Sequence, residues 1–182
     1  ATGGYGGKEI NELKNYWLPI KTFIGVTKPM GNELHYVLKK PLGFSDNRRA
    51  GNYYRVLPGN RLSWGRGISA VGNYSRSSLK KVISKEISYF FPELKNIEID
   101  YVWSGNMAYA SHYMPYVGAT RIGHEDKNVF TIMGFGGHGM NTAPGAAMVL
   151  ADFMLGKGNN YQVFNKFSRK WNGGLIGPYI AE

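Results

Sequence analysis

The chain has 182 residues, 43% of them hydrophobic and none of them cysteine, which excludes disulfides, thiolate metal sites and wholesale disorder. Its formal net charge is +10, but the bases fall in scattered pairs (Lys39 and Lys40, Arg48 and Arg49, Lys80 and Lys81, Arg169 and Lys170), which reads as a solvated basic surface rather than a phosphate-binding stripe. No apolar stretch approaches the roughly 20 residues that cross a bilayer, so no membrane partner is expected, and a cytoplasmic location fits.

The start, Ala1-Thr-Gly-Gly-Tyr-Gly-Gly, is neither a signal peptide nor an initiator Met, and reads as a strand end entering a glycine turn. Glu9 to Tyr16 is expected to form a short helix. Lys21 to Thr27 reads as a strand ending before Pro29, and His35 to Leu38 as a weaker strand. Residues 43 to 51 are polar and loop-like. Tyr53 to Leu57 and Arg61 to Trp64 flank Pro58-Gly59-Asn60, a hairpin with a type II-like turn. Leu62 and Trp64 alternate with Arg61 and Ser63, as a half-buried strand requires.

Leu79, Val82, Ile83, Ile87 and Phe90 form a helical stripe, capped by Ser77 or Ser78 and closed by Pro92. Ile97, Ile99, Tyr101 and Trp103 alternate with Glu98, Asp100 and Val102, which predicts a strand with the first set buried. Asn128 to Gly134 reads as a further strand. A helix follows from about Thr142 to Leu155, with Pro144 in its first turn and Gly156 at its end. A last amphipathic helix is expected over Tyr161 to Trp171. Strands joined by hairpins, without regular strand-helix alternation, predict an α+β fold with a mostly antiparallel sheet and flanking helices.

The stretch that bears on chemistry is Gly134-Phe-Gly-Gly-His-Gly-Met-Asn-Thr. A strand feeds a glycine turn, and the turn feeds a helix whose first N–H groups lack intrahelical partners. Gly136, Gly137 and Gly139 leave the backbone open to a flat or anionic group, and a reduced flavin is such a group. A turn that only permits tight helix-sheet packing has the same spacing, so both readings stand. His138, between glycines, reads as a turn residue hydrogen-bonded to nearby backbone. No second His stands at metal-ligand spacing, and no metal is expected. Tyr53, Tyr54, Tyr101 and Trp103 could wall a substrate cavity, but their alternation equally suits a sheet core.

Taken in order, several segments together resemble a known family. They are Ala1-Thr-Gly-Gly-Tyr; Ile24-Gly-Val-Thr-Lys-Pro; Tyr53-Tyr-Arg-Val-Leu-Pro-Gly-Asn-Arg-Leu-Ser-Trp-Gly; Phe91-Pro-Glu-Leu; Ile99-Asp-Tyr-Val-Trp-Ser-Gly; Met114-Pro-Tyr-Val-Gly; and Gly134-Phe-Gly-Gly-His-Gly-Met. The chain resembles the C-terminal portion of the FAD-dependent D-amino-acid oxidase superfamily, nearest to gamma-glutamylputrescine oxidase-type and glycine/sarcosine oxidase-like enzymes. The resemblance implies an oxidoreductase that takes a hydride from the carbon bearing an amine and leaves an imine.

It further implies FAD held in part by Gly3, Gly4, Gly134, Gly136, Gly137, His138, Gly139 and Met140. Residues 1–19 would end an FAD-binding segment, 20–113 would form a substrate domain roofing the flavin, and 114–182 would return to the FAD-binding domain with its C-terminal helix. The dinucleotide fingerprint would lie upstream, so the FAD site in this chain would be incomplete and the fragment alone inactive. Tyr53, Arg55, Trp103 and Met107 are the candidate substrate contacts. Met107 stands where amino-acid-oxidising relatives carry a carboxylate-binding Arg, which implies an amine without a carboxylate on the reacting carbon. Arg55 or Arg66 could replace that Arg. No catalytic base is identified. The rival reading is a non-catalytic basic domain that binds nucleic acid or an acidic protein.

Overall fold

The computed structural model describes residues 2–6, 10–48, 50–70, 72–121, 128–166 and 170–171. They divide into two compact units, one of residues 21–105 and one of residues 1–20 with 106–182. The chain passes between units within two strands, β1 (Trp17–Thr27) and β5 (Ile99–Ala110).

The 21–105 unit is built on a five-stranded sheet of order β2-β3-β4-β1-β5, with β2 Gly43–Ser45, β3 Tyr53–Leu57 and β4 Arg61–Ser69. The β2–β3, β3–β4 and β4–β1 pairs are antiparallel. The expected hairpin is present. Leu57 pairs with Arg61, and Gly59 takes φ +76°, as the second central position of a type II turn requires. Helix α2 (Arg76–Phe90) buries Leu79, Ile83 and Ile87 against the sheet. Their spacing of four puts them on one helical face, and burial of each side chain contributes about 1.5–3 kcal/mol. Gly25 admits the helix closely, since a Cβ there would stand 2.9 Å from Ile83 Cδ1. Phe44, Tyr54 and Trp64 stack in sequence across β2, β3 and β4.

Several expectations are corrected. His35 to Leu38 is not a strand, because Glu33–Val37 is helix α1, whose turn brings the buried Leu34 and Leu38 onto one face. Residues 43 to 51 are not all loop. Gly43–Ser45 pairs with Tyr53–Arg55, drawn in by Phe44 on Tyr54. The cap of α2 is Ser75, whose Oγ accepts from Ser78 N–H at 3.1 Å. In β5 the buried face changes phase. Ile97 and Ile99 are buried, but the next buried residue is Val102, leaving Tyr101 58% and Trp103 48% exposed. A one-residue slip moves every following side chain to the other face.

The other unit holds an antiparallel pair, β6 (Tyr116–Arg121) and β7 (Asn128–Met133), with Tyr116 opposite Met133. Sequence reading missed β6. Helix α3 (Gly139–Met154) and short α4 (Gln162–Asn165) pack Ala146, Leu150, Phe153 and Phe164 on Val117. A second cluster joins Leu13 and Trp17 to Ala108 and Tyr116.

Helix α3 begins three residues earlier than expected, so Pro144 is its sixth residue. It sits inside the helix and offers no N–H to the Met140 carbonyl. The end is as expected. Gly156 takes φ +69°, its N–H reaches Phe153 O at 3.0 Å, and Lys157 N–H reaches Asp152 O at 2.8 Å, a Schellman motif. The helix expected over Glu9 to Tyr16 is a 3-10 turn, Asn11–Leu13, and residues 7–9 lie outside the described residues. The last helix is shorter than expected, with 167–169 also outside them. No helix among the described residues is long and apolar enough to cross a membrane.

Candidate cofactor-binding site

The glycine turn owes its shape to backbone angles that L side chains rarely adopt. Gly134, Gly136 and Gly137 have φ of +88°, +56° and +90°. These values turn β7 into α3 within five residues. The positive end of the long helix α3 has neither a side-chain cap from His138 nor an acidic countercharge in its first turn. His138 is held through its backbone: its N–H reaches Phe135 O at 3.1 Å, and its carbonyl accepts from Thr142 Oγ1 at 2.7 Å. Met140 is 96% exposed.

One face of β5 receives this turn. Met107 and Tyr109, two residues apart, point to the same side of the strand. A Cβ on Gly137 would stand 2.9 Å from Met107 Sδ, and one on Gly136 would stand 3.3 Å from the Tyr109 ring. Gly136 N–H donates to Ala108 O at 2.8 Å, and Tyr109 forms an antiparallel bridge with Phe135. The N-terminal turn meets the same stretch of β5. A Cβ on Gly4 would lie 2.8 Å from the Asn106 and Met107 backbone, and Asn106 N–H donates to Tyr5 Oη at 3.0 Å. Gly3 has φ +53°. The Gly3–Gly4 turn, Met107 and the 134–139 turn thus converge.

Tyr5, Asn106 and Tyr109 escaped sequence reading. The alternation of Met107 and Tyr109 with the small, buried Ala108 and Ala110 is the signal that could have found Tyr109.

The remaining candidates lie in the 21–105 unit. Tyr53 and Arg55 point away from the face that packs Tyr54 and Val56 into the core. The Tyr53 ring lies over Gly65, its cross-strand partner, filling the space that a side chain there would take. Tyr53, Tyr101 and Trp103 are exposed rather than core residues, and only Tyr54 packs on the core. The two candidate arginines part company. Arg66 Nε donates to Glu86 Oε2 at 2.9 Å, and Trp64 Nε1 donates to the same oxygen at 3.0 Å. Arg55 is exposed and makes no ion pair among the described residues. No group of three or more His, Asp or Glu that could hold a metal lies among the described residues.

Known proteins resemble this chain in sequence and in fold. The gamma-glutamylputrescine oxidoreductase of Escherichia coli (strain K12) is 26% identical over 166 residues, covering 90% of this chain and 38% of that protein. A probable oxidoreductase OrdL of Haemophilus influenzae (strain ATCC 51907 / DSM 11121 / KW20 / Rd) is 28% identical, covering 81% of this chain and 32% of its own. The chain thus spans less than two-fifths of the length of either relative. Glycine oxidase from Geobacillus kaustophilus shares the fold with a TM-score of 0.61 at 19% identity, over 87% of this chain and 41% of that one. A modified fructosyl peptide oxidase from Aspergillus nidulans shares it with a TM-score of 0.70 at 13% identity, over 98% of this chain and 46% of that one. The family model described as FAD dependent oxidoreductase matches residues 1–153, and the chain belongs to that family.

Proposed function

We propose that this chain is the C-terminal, substrate-domain-bearing part of an FAD-dependent enzyme that oxidises an amine C–N bond. The observation that carries the reading is the 134–139 turn: three positive-φ glycines open onto the uncapped N-terminus of α3 and are braced from behind by Met107. N–H groups at a positive helix end suit the pyrimidine edge of a flavin, where negative charge gathers on reduction. Gly137, Gly139 and Met140 would hold that edge through their N–H groups, with His138, whose own N–H is bonded to Phe135 O, beside them. Gly134 and Gly136 would set the turn, and Gly3 and Gly4 would end the nucleotide-binding segment. Bound FAD would supply the acceptor for the hydride on the carbon bearing the amine, leaving an imine for water to hydrolyse.

The outer face of α3 supports a partner portion of flavin-binding protein beyond this chain. Met148, Met154 and Leu155 are exposed beside Ala147 and Ala151, and Asp152 is the one charged residue of the helix. An apolar face of this kind needs cover. FAD binding by residues 1–182 alone is accordingly weak, and the chain alone is inactive. Fluorescence titration reads this directly, and tight stoichiometric binding would overturn it.

Tyr53, Arg55 and Trp103 would line the substrate side, with Met107 as an apolar, adaptable contact. Met107 where a carboxylate-binding Arg is expected favours an amine without a carboxylate on its reacting carbon, and an acylated polyamine is such a substrate. The deciding experiment follows anaerobic flavin bleaching in the full-length enzyme with glycine, sarcosine, D-alanine and gamma-glutamylputrescine. Fastest reduction by gamma-glutamylputrescine is expected. Faster reduction by the simple amino acids refutes the substrate class, and no reduction by any amine refutes the reaction.

A further inference from the structure

We infer that Trp171 is a positioning residue for the glycine turn, acting through β5; the inference rests on the flavin reading of that turn. The turn is joined to β5 by the bridge between Tyr109 and Phe135, and the bond that makes it runs from Gly136 N–H to Ala108 O at 2.8 Å. With the bonds carried by the neighbouring residues, Tyr109 and Phe135 form a non-hydrogen-bonded pair. The Tyr109 carbonyl therefore faces the other edge of β5. There it accepts from Trp171 Nε1 at 3.0 Å.

The backbone N–H of the same residue donates to Asn15 O at 2.7 Å, two residues before β1 begins, and Lys170 Nζ stands 5.3 Å over the Tyr16 ring. Trp171 thus takes the place of a strand partner, tying Asn15 and Tyr109 together with two donors. Tyr109 in turn meets the turn twice, through the Phe135 bridge and through its ring beneath Gly136. Any movement of Tyr109 is handed directly to Gly136 and, one residue on, to the N–H groups of the turn.

The experiment uses the intact flavoprotein with Trp171→Phe, which keeps the aromatic bulk and removes the indole donor, and Trp171→His, which keeps a ring N–H. Amide hydrogen exchange is read by mass spectrometry over residues 134–139, with residues 76–90 of α2 as the internal reference, and FAD affinity is measured in parallel. Trp171→Phe is expected to speed exchange at the turn and weaken FAD binding by about threefold to tenfold each, the effect of one lost hydrogen bond, while α2 is unchanged. Trp171→His is expected to recover part of both. Unchanged exchange at the turn, equal behaviour of Phe and His, or a matching rise across α2 overturns the positioning role. Gly137→Val separates this from the flavin reading. If it leaves FAD affinity intact, the flavin reading falls, and exchange at the turn still decides the role of Trp171.

Discussion

Gly4 lies so close to Met107 that a single added methyl would stand 2.8 Å from the backbone carbonyl carbon of Met107 and equally near that of Asn106. The obstacle is main chain, which cannot rotate away as a side-chain tip can. Gly4→Ala is therefore expected to destabilise the protein by about 1–3 kcal/mol. Gly43→Ala is the control, since nothing lies within 4 Å of a Cβ there and its φ is not positive. It should stay within about 0.5 kcal/mol of the parent. Denaturant midpoints of the two variants measure the contrast. Equal midpoints would show that the N-terminal turn does not rest on β5.

Gly137 combines two constraints. Its φ of +90° disfavours any side chain, and a Cβ there would point back at Met107 Sδ, 2.9 Å away. Gly137→Val is expected to lower the flavin-to-protein absorbance ratio of the intact enzyme severalfold. A branched side chain is strained at that φ and would press on Met107, shifting the turn and with it the N–H groups that would meet the flavin edge. The melting temperature of flavin-stripped protein should move far less. An unchanged ratio would return the turn to a packing role.

Asp46 organises the loop ahead of β3. Its carboxylate accepts from Arg48 Nε at 3.0 Å, Arg48 N–H at 3.0 Å and Asn52 N–H at 2.9 Å. The Arg48 guanidinium first, and then the Asn52 N–H, hold it well below the usual carboxylate range. A lowered folded value gives a contribution that is complete above the unfolded pKa of about 3.9 and fades as pH falls toward the folded value. Protease cleavage in the 46–52 loop should stay slow down to about pH 4 and quicken below it. Asp46→Asn should be cleaved faster near neutral pH and show less change on acidification. Parallel acid profiles for parent and variant would refute the assignment.

Local periodicity carried most of the fold. The spacing of Leu79, Ile83 and Ile87 fixed the buried face of α2, and Pro58-Gly59 fixed the hairpin, because each feature is decided within a few residues. Strand β5 resisted because its phase slip between Ile99 and Val102 depends on the sheet around it. The pair Leu34 and Leu38 was legible as a helical spacing, but its segment is too short for period alone to outweigh strand-like Tyr36 and Val37. At the site, the glycines of the 134–139 turn were visible because positive φ selects glycine. The contact of Gly4 with Met107 joins residues about a hundred positions apart, and the Trp171 bond to Tyr109 spans 62. Nothing in a local pattern encodes contacts of that range.

Arg55 and Arg66 were equal candidates for pairing with a substrate anion, and their surroundings now assign them different work. The Arg66 side chain is 24% exposed and meets Glu86, itself 19% exposed, on an oxygen shared with the buried Trp64 indole. Arg66→Gln leaves a half-buried carboxylate with one donor fewer and without its ion-pair partner. It should lower stability by about 1–3 kcal/mol with little effect on KM. Arg55 stands on the outward face of β3 beside Tyr53 and makes no ion pair among the described residues, so its guanidinium fork is open to a carboxylate. Arg55→Gln should leave the melting temperature within about 1 °C of the parent, as surface substitutions do. It should raise KM for a substrate carrying a distal carboxylate, such as gamma-glutamylputrescine, by about tenfold, the loss of one charge-assisted contact. The KM of an uncharged secondary amine should hardly move. Steady-state kinetics on both variants, with melting curves alongside, test the division. A stability loss confined to Arg55→Gln, or a KM effect confined to Arg66→Gln, would reverse it.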